Sequence, residues 1–280
     1  MSQNLFKKLP NKNLRFAKVF GERNTGTNFL NQLLKQNTNL KVLEHKSNSI
    51  PKIRLAKLID RHSKSRARQK EVDPALRQLV FDRLIDQQRQ EEYPKNYGWK
   101  HARVLPSDLA KSKRFNSTLF IFLIRNPWRF VSALHKRPYN LFPSPPENFL
   151  DFLNSCFLAN PRDCMPCNFV ENPVEFWNQK VSSYQDCNKT IKNSIICYYE
   201  DIVASPTQFI HSLNPVCSTR KEITIPMDST KKDDKSFDDY RREALAYDPV
   251  ESLGKEAYTQ VLDKLDRTVL KKTIYNEASV

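Results

Sequence analysis

LRFAKVFGERNTGTNFLNQLL, residues 14–34, is the stretch that decides the fold. Residues 16–20 form a short run with aromatic and β-branched members that ends at Gly21, which predicts a strand. After Gly26, apolar residues recur at helical spacing up to Leu34, which predicts a helix. A strand, a polar turn and a helix in this order direct backbone N–H groups and the positive end of the helix dipole at one point. We therefore expect an anion-binding loop between Gly21 and Asn28.

The two glycines have the spacing of the phosphate-binding loop G-x-x-x-x-G-K-[ST], with one departure. Thr27 stands where that loop has its lysine, and Asn28 follows it. Because a nucleotide triphosphatase uses the lysine to reach the β and γ phosphates, the loop is not predicted to serve an ATPase. Thr25, Thr27 and Asn28 can still hydrogen-bond phosphate oxygens, and Arg23 offers a planar guanidinium. The alternative is an ordinary strand–turn–helix whose glycines serve only the turn.

The composition narrows the class of protein. A chain of 280 residues with 39% hydrophobic content suits one α/β domain with elaborations, or two small domains. Its net charge of +15 favours acidic partners such as phosphorylated cofactors, sulfated or carboxylated substrates, nucleic acid or an anionic membrane face. No apolar run approaches the length of a membrane span and the first residues lack a signal-peptide core, so we expect a cytoplasmic protein.

Two further predicted strands end in polar residues. Residues 40–44 are expected to form a short strand that ends at Glu44, next to His45. Residues 118–124, TLFIFLI, form a continuous apolar run typical of a central parallel strand buried on both faces. That run ends in Arg125, and a helix is predicted from residue 128 to 134. Because parallel strands end at the same rim of a sheet, Arg125 and Glu44 are expected beside the anion loop. A solvated strand end is the alternative for Glu44.

Residues 97–106, YGWKHARVLP, contain the adjacent residues Lys100 and His101. We predict a strand end here, followed by a helix from Pro106 to Lys113. An imidazole that titrates near neutral pH can take a proton from a hydroxyl group, which makes His101 a candidate base and Glu44 a second one. A purely structural histidine is the alternative.

The remaining segments are predicted in less detail. Residues 51–92 are expected to form a helical insertion, whose basic stretch 52–70 has either a solvated face or a surface for an acidic acceptor. Residues 143–175 are predicted as Cys- and Pro-containing loops around a helix at 147–158, followed by a helix after Pro173. A strand is predicted at 194–199, a helix from Pro206, and a charged loop or basic lid at 231–235.

The cysteines do not form a complete metal-binding pattern. Cys164 and Cys167 form a C-x-x-C pair, to which Cys156 or Cys187 would have to add ligands. A second C-x-x-C pair is missing, so we expect reduced thiols and no metal.

Four blocks of the chain resemble the sulfotransferase family that uses 3′-phosphoadenosine-5′-phosphosulfate (PAPS). In chain order they are GERNTGTNFL, WKHARVLP, LFIFLIRNPWRFVSALHKRPYN and YYEDI. The closing segment VLDKLDRTVLKKTIY also resembles the C-terminal helix of that family. The resemblance implies one domain over residues 1–280, with a central parallel β-sheet flanked by helices in a fold related to P-loop NTPases.

The resemblance also implies a set of site residues. The 5′-phosphosulfate end of PAPS is expected at the first block, which supplies Arg23, Asn24, Thr25, Gly26, Thr27 and Asn28. The 3′-phosphate is expected at Arg125 and Ser132. His101 is implied as the base, with Lys100 and Arg23 stabilising charge, and Glu44 has the spacing of the glutamate base of other members. The chain departs from the family at Asn24, where a cation is common, and at Ala133, where the serine usually lies.

The implied reaction is in-line transfer of a sulfuryl group from PAPS to the hydroxyl or amine of a small-molecule or carbohydrate acceptor. The basic surface makes an acidic sugar one candidate. One rival is a nucleotide kinase-like phosphotransferase, disfavoured by the missing lysine and by the lack of a strand-end aspartate for Mg²⁺. A second rival is a non-catalytic RNA- or polyanion-binding protein, disfavoured because aromatic residues are not interleaved with the basic run. The sequence identifies neither the acceptor nor the oligomeric state.

Overall fold

A computed structural model describes residues 14–44, 93, 95–138, 141–226 and 235–276. The basic insertion predicted for residues 51–92, His45 and residues 231–234 of the predicted lid lie outside the described residues. The strands of the described part are β1 (Phe16–Gly21), β2 (Lys41–Val42), β3 (Thr118–Ile124), β4 (Phe157–Leu158), β5 (Phe169–Val170) and β6 (Ser194–Tyr198). Its helices are α1 (Thr27–Asn37), α2 (Pro106–Ala110), α3 (Pro127–Lys136), α4 (Phe149–Leu153), α5 (Pro173–Thr190), α6 (Tyr199–Ala204), α7 (Pro206–Ser212), α8 (Phe237–Leu245), α9 (Pro249–Leu253), α10 (Lys255–Lys264) and α11 (Arg267–Leu270).

A parallel sheet with strand order β2–β1–β3–β6 forms the centre of the molecule. All residues of β3 are buried, as expected of a continuous apolar strand with a neighbour on each side. Alternate side chains of β3 enter two different cores. Phe120 and Phe122 pack in the core that contains residues of α3 and α5, whereas Leu119 and Ile121 pack with residues of α1 and α7. The predicted α/β class, a parallel sheet flanked by helices, is confirmed.

Several predicted element boundaries are wrong. Residues 97–104 form no strand, because Tyr97 and Gly98 have φ angles of 60° and 68°, which an extended chain does not adopt. The strand predicted at 40–44 is limited to Lys41–Val42. The helices predicted to reach Lys113 and to span 147–158 are shorter, as Pro106–Ala110 and Phe149–Leu153.

The closing helix is divided in two. Asp266 accepts hydrogen bonds from the backbone N–H groups of Thr268 and Val269 and starts α11 as its N-cap. Leu265 before it is extended, so α10 ends at Lys264. Among the helices that the structure describes, none has the length and apolar character needed to cross a membrane.

Candidate active site

Three neighbouring strands end at one rim of the sheet. Gly21 at the end of β1 lies opposite Leu123 of β3, and Ile124 of β3 lies opposite Tyr198 of β6. The residues that follow these strands are therefore neighbours: the 22–26 loop, Arg125 and Tyr199. The prediction that the loop and Arg125 lie together is confirmed, and it follows directly from the parallel register.

The loop turns into α1 at Gly26, which has a φ of 81° and no side chain with which to cap the helix. A Cβ atom on Gly26 would lie 2.5 Å from Cε2 of Tyr199, so the ring leaves room only for glycine. The N–H groups in the first turn of a helix have no partner within the helix. Since no side chain caps this turn, its N–H groups and the helix dipole are available to an anion.

Arg125 closes one side of the loop. Its Nη1 donates a hydrogen bond to the Asn24 carbonyl oxygen, and its guanidinium carbon lies 4.9 Å from the centre of the Tyr199 ring. Burial, with the charge of Arg129 next in importance, lowers the pKa of Arg125, although arginine stays charged in proteins. Its buried Nε has no hydrogen-bond partner among the described residues. A buried guanidinium with an unsatisfied N–H suits an oxyanion.

His101 closes the other side. Its Nδ1 lies 2.6 Å from the Gly21 carbonyl oxygen, which can only accept, so Nδ1 carries the proton and Nε2 has the free lone pair. The backbone of the same turn is held because the Gly21 N–H donates to the Lys100 carbonyl oxygen at 2.9 Å. The Lys100 ammonium group donates to the side-chain oxygen of Asn28, at the start of α1.

The surroundings of His101 disfavour titration near neutral pH. Burial lowers its pKa well below 6.5, and the neighbouring Lys100 charge lowers it further. Both effects disfavour the imidazolium ion. His101 is therefore a neutral imidazole at pH 7, in the protonation state that a general base requires.

A buried cluster of charges lies under the loop. Lys180 and Arg23 both pair with Asp163, each at 2.7 Å, and Lys180 also lies 3.5 Å from Glu22. The Tyr184 hydroxyl lies 3.2 Å from the Glu22 carboxylate. None of these side chains is more than 4% exposed.

The two carboxylates of the cluster titrate very differently. Burial raises the pKa of Glu22 to about 7, with Lys180 only partly opposing it. Burial acts in the same direction on Asp163, but the charges of Arg23 and Lys180 outweigh it and hold the pKa of Asp163 well below its usual range. The two pKa values differ because Asp163 forms both short ion pairs, one with Arg23 and one with Lys180.

Sequence reasoning did not find Glu22, Asp163, Lys180 and Tyr184 as part of the site. One signal was present, because Lys180 falls on the apolar face of α5, between Trp177 and Val181 and one turn before Tyr184. A lysine on such a face needs a buried partner. Asp163, in a short turn of the 141–172 segment, carries no comparable signal.

The other predicted site residues have varied surroundings. Arg23 is directed at Asp163 through Nη2, while its Nη1 has no partner among the described residues. The Asn24 side chain donates to the Ala133 carbonyl oxygen at 3.3 Å, next to the partly buried Ser132 on α3. Glu44 accepts hydrogen bonds from Asn31 and Lys35, both on α1. The ligand contacts of Arg23, Asn24 and Ser132 stay predictions.

The described residues contain no group of three or more His, Cys, Asp or Glu side chains that could hold a metal ion. Cys156, Cys164 and Cys167 are exposed and in no disulfide, and Cys187 is buried. The C-x-x-C pair therefore lies on the surface of the 141–172 segment, with neither cysteine in a disulfide.

Comparison with known proteins gives little information on function. No protein-family model matches the chain, and no curated protein matches it. Among solved structures, a sulfotransferase domain from the curacin biosynthetic pathway is similar over 90% of this chain and 98% of its own, with 12% sequence identity and a TM-score of 0.41. A likeness at this level does not indicate a substrate or a reaction.

Proposed function

We propose that the chain is a sulfotransferase that uses PAPS and transfers its sulfuryl group to the hydroxyl or amine of an acceptor. The observation that carries the proposal is that the Gly21–Asn28 turn is bonded to the His101 imidazole on one side and to the buried Arg125 guanidinium on the other. This arrangement adds a candidate base and a second anion site to an anion-binding loop. These residues fall in three of the four sequence blocks that resemble the PAPS-dependent family.

The residues present fit such a cofactor. The buried Arg125 Nε, which has no hydrogen-bond partner among the described residues, can donate to one oxyanion. The uncapped first turn of α1 can bind a second one. In the proposal, Arg125 and Ser132 hold the 3′-phosphate and the 24–28 turn holds the 5′-phosphosulfate end. PAPS, when bound, supplies the activated sulfuryl group.

His101 is the proposed base. Its Nε2 takes the proton of the acceptor hydroxyl or amine, while the hydrogen bond from Nδ1–H to Gly21 fixes the orientation of the ring. The N–H groups of the first turn of α1 and the Lys100 ammonium group stabilise the negative charge that develops beside them. Glu44 is the weaker candidate because its carboxylate is engaged by Asn31 and Lys35.

Thermal shift with adenosine 3′,5′-bisphosphate tests the proposal, because a ligand that binds only the folded state raises Tm. We expect the bisphosphate to raise Tm more than 5′-AMP does. Arg125→Met is expected to abolish this difference, whereas Arg137→Met, at the exposed end of the helix that follows Arg125, is expected to keep it. Each shift is measured against the same variant without ligand, so that a change in intrinsic stability does not enter.

Two outcomes would contradict the proposal. Stabilisation by ATP with Mg²⁺ as strong as that by the bisphosphate would favour the kinase-like phosphotransferase. Stabilisation by none of the nucleotides, together with salt-sensitive retention of RNA, would favour the polyanion-binding protein.

A further inference from the structure

Lys180 is placed as a link between the two sides of the candidate site. Its ammonium group donates to the His101 carbonyl oxygen at 2.7 Å and to Asp163 at 2.7 Å, and lies 3.5 Å from Glu22. The Phe176 ring lies 3.8 Å from the same nitrogen and covers it. Two protons of the group therefore have hydrogen-bond acceptors, whereas Glu22 pairs with it by charge and its Oε2 has no hydrogen-bond partner among the described residues.

Asp163 extends the same link. Its carboxylate accepts a hydrogen bond of 2.7 Å from Nη2 of Arg23, a residue of the loop. Its backbone carbonyl oxygen accepts a hydrogen bond of 2.7 Å from the N–H of Arg103, two residues beyond His101. Tyr184, one turn after Lys180 on α5, lies 3.2 Å from both Glu22 and the Ala102 carbonyl oxygen. Every member of the cluster therefore contacts the loop, the His101 turn, or both.

We propose that Lys180 and Asp163 are positioning residues that set the anion-binding loop and the His101 turn relative to each other. The role of those two parts in binding and proton transfer rests on the proposed function, whereas their mechanical linkage does not. Neither residue is placed to touch a ligand, because both side chains are fully buried beneath the loop.

The charges of the cluster explain why its geometry is specific. A buried ion is stable only with several well-placed partners, so a displaced loop would leave Asp163 or Lys180 uncompensated. The charged or titratable groups that face Glu22 are Lys180, Asp163, Arg23 and Tyr184. Loss of Lys180 leaves Arg23 paired with Asp163 and leaves Glu22 free to hold a proton, so that the remaining cluster stays neutral.

Hydrogen exchange of the ligand-free protein tests the linkage directly. Lys180→Met is expected to speed the exchange of amides in residues 21–28 and 100–103 together, beyond any change in global stability. The Gly21, Ala102 and Arg103 N–H groups are hydrogen-bonded within this unit and are the probes. Lys189→Met, at an exposed position of the same helix, is the matched control. Faster exchange confined to α5, or only in proportion to the loss of global stability, would overturn the proposal.

Asp163→Asn is a second variant for the case that Lys180→Met does not fold. It keeps the size of the side chain but presents an NH₂ group to either Arg23 or Lys180, both of which donate. We expect the same paired increase in exchange of residues 21–28 and 100–103. An unchanged exchange pattern in Asp163→Asn would equally overturn the proposal.

Ligand binding gives a readout that a general loss of stability would not change. At a temperature where each variant is fully folded, the Kd for adenosine 3′,5′-bisphosphate is expected to rise roughly 10- to 100-fold in Lys180→Met, since small displacements of binding groups have effects of this size. A Kd equal to that of wild type would contradict the positioning role. If wild type itself fails to bind the bisphosphate, the proposed function fails, and the exchange experiment alone still decides the linkage.

Discussion

Gly26 is subject to two separate constraints. Its φ of 81° is one that L-residues avoid, and the Tyr199 ring occupies the space that a side chain would need. The ring in turn lies on the Arg125 guanidinium. One residue without a side chain therefore allows the loop, an aromatic ring and a cation to stack at the end of the sheet.

Gly26→Ala is expected to lower the free energy of unfolding more than Gly254→Ala does. Gly254 also has a φ of 81°, but a Cβ atom there meets no atom within 4 Å. Its ψ of 154° makes the backbone cost of alanine at least as large as at Gly26. Any excess loss at Gly26, on the order of 1–3 kcal/mol, is therefore a minimum cost of the contact with the ring. Urea denaturation of both variants checks this, and a loss at Gly26 no larger than that at Gly254 would contradict the prediction.

His101 is expected to stay neutral as the pH is lowered through 6.5. Because burial depresses its pKa in the folded state, the unfolded chain takes up a proton first, and this group makes stability fall as the pH falls below 6.5. Side-chain ¹⁵N NMR should show the tautomer protonated at Nδ1 well below that pH. A titration midpoint near 6.5, or a proton on Nε2, would contradict the assigned role of the Gly21 carbonyl.

At the scale of elements, α5 connects parts of the site that are distant in sequence. One face of this helix packs in the core, and the same face carries Lys180 and Tyr184 into contact with the loop and with the His101 turn. The loop that follows β1 thereby rests on ionisable groups supplied by another element. Its stability should consequently depend on pH.

Glu22→Gln is expected to gain stability relative to wild type as the pH rises from about 5 to 8. Between its ordinary pKa of 4.5 and the folded value of about 7, folded Glu22 keeps a proton that the unfolded chain has lost, so it lowers stability as the pH rises through that range. Glutamine removes this dependence, with an effect on the order of 1–3 kcal/mol at the alkaline end. His101 changes stability in the opposite direction, so the difference between variants is the quantity to follow.

Thermal unfolding of both proteins across that pH range measures this difference. Glu256→Gln, at an exposed position of α10, is the matched control and should show no comparable trend. A constant offset between Glu22→Gln and wild type at every pH would contradict the proton assigned to Glu22.

At the scale of the whole molecule, the net charge of +15 creates a field that attracts anions before they reach the loop. The buried cations at the loop act at short range, whereas this field acts over the Debye length and is screened by salt. The long-range field should therefore affect the rate of association, and the buried cations should chiefly affect the rate of dissociation.

The association rate of adenosine 3′,5′-bisphosphate is expected to fall as the salt concentration rises, because screening weakens the steering of an anion toward a basic protein. Stopped-flow measurements at low and high salt check this. Arg125→Met should chiefly raise the dissociation rate and keep the salt dependence of association. An association rate that does not change with salt would contradict long-range steering.

Local patterns predicted the parts of the fold that depend on local residues. The aromatic and β-branched run that ends at Gly21, the helical periodicity after Gly26 and the apolar run 118–124 predicted β1, α1 and β3 and hence the rim where Arg125 lies. The strand prediction for residues 97–104 was wrong because the conformation of this segment depends on distant contacts, such as the hydrogen bond from Lys18 to the Gly98 carbonyl oxygen. The pair Arg23–Asp163 joins residues 140 positions apart, for which one sequence contains no local signal.

The strand order has a consequence for the time at which the molecule acquires its site. Phe16 pairs with Thr118 and Phe120 pairs with Ser194, so the rim is assembled from strands that emerge far apart during synthesis. Closing such long loops slows folding, and no early fragment contains the loop, Arg125 and Tyr199 together. If the proposed function holds, a nascent chain that lacks β6 should therefore be unable to bind adenosine 3′,5′-bisphosphate, and the appearance of that binding during refolding should mark the completion of the sheet rather than the formation of α1.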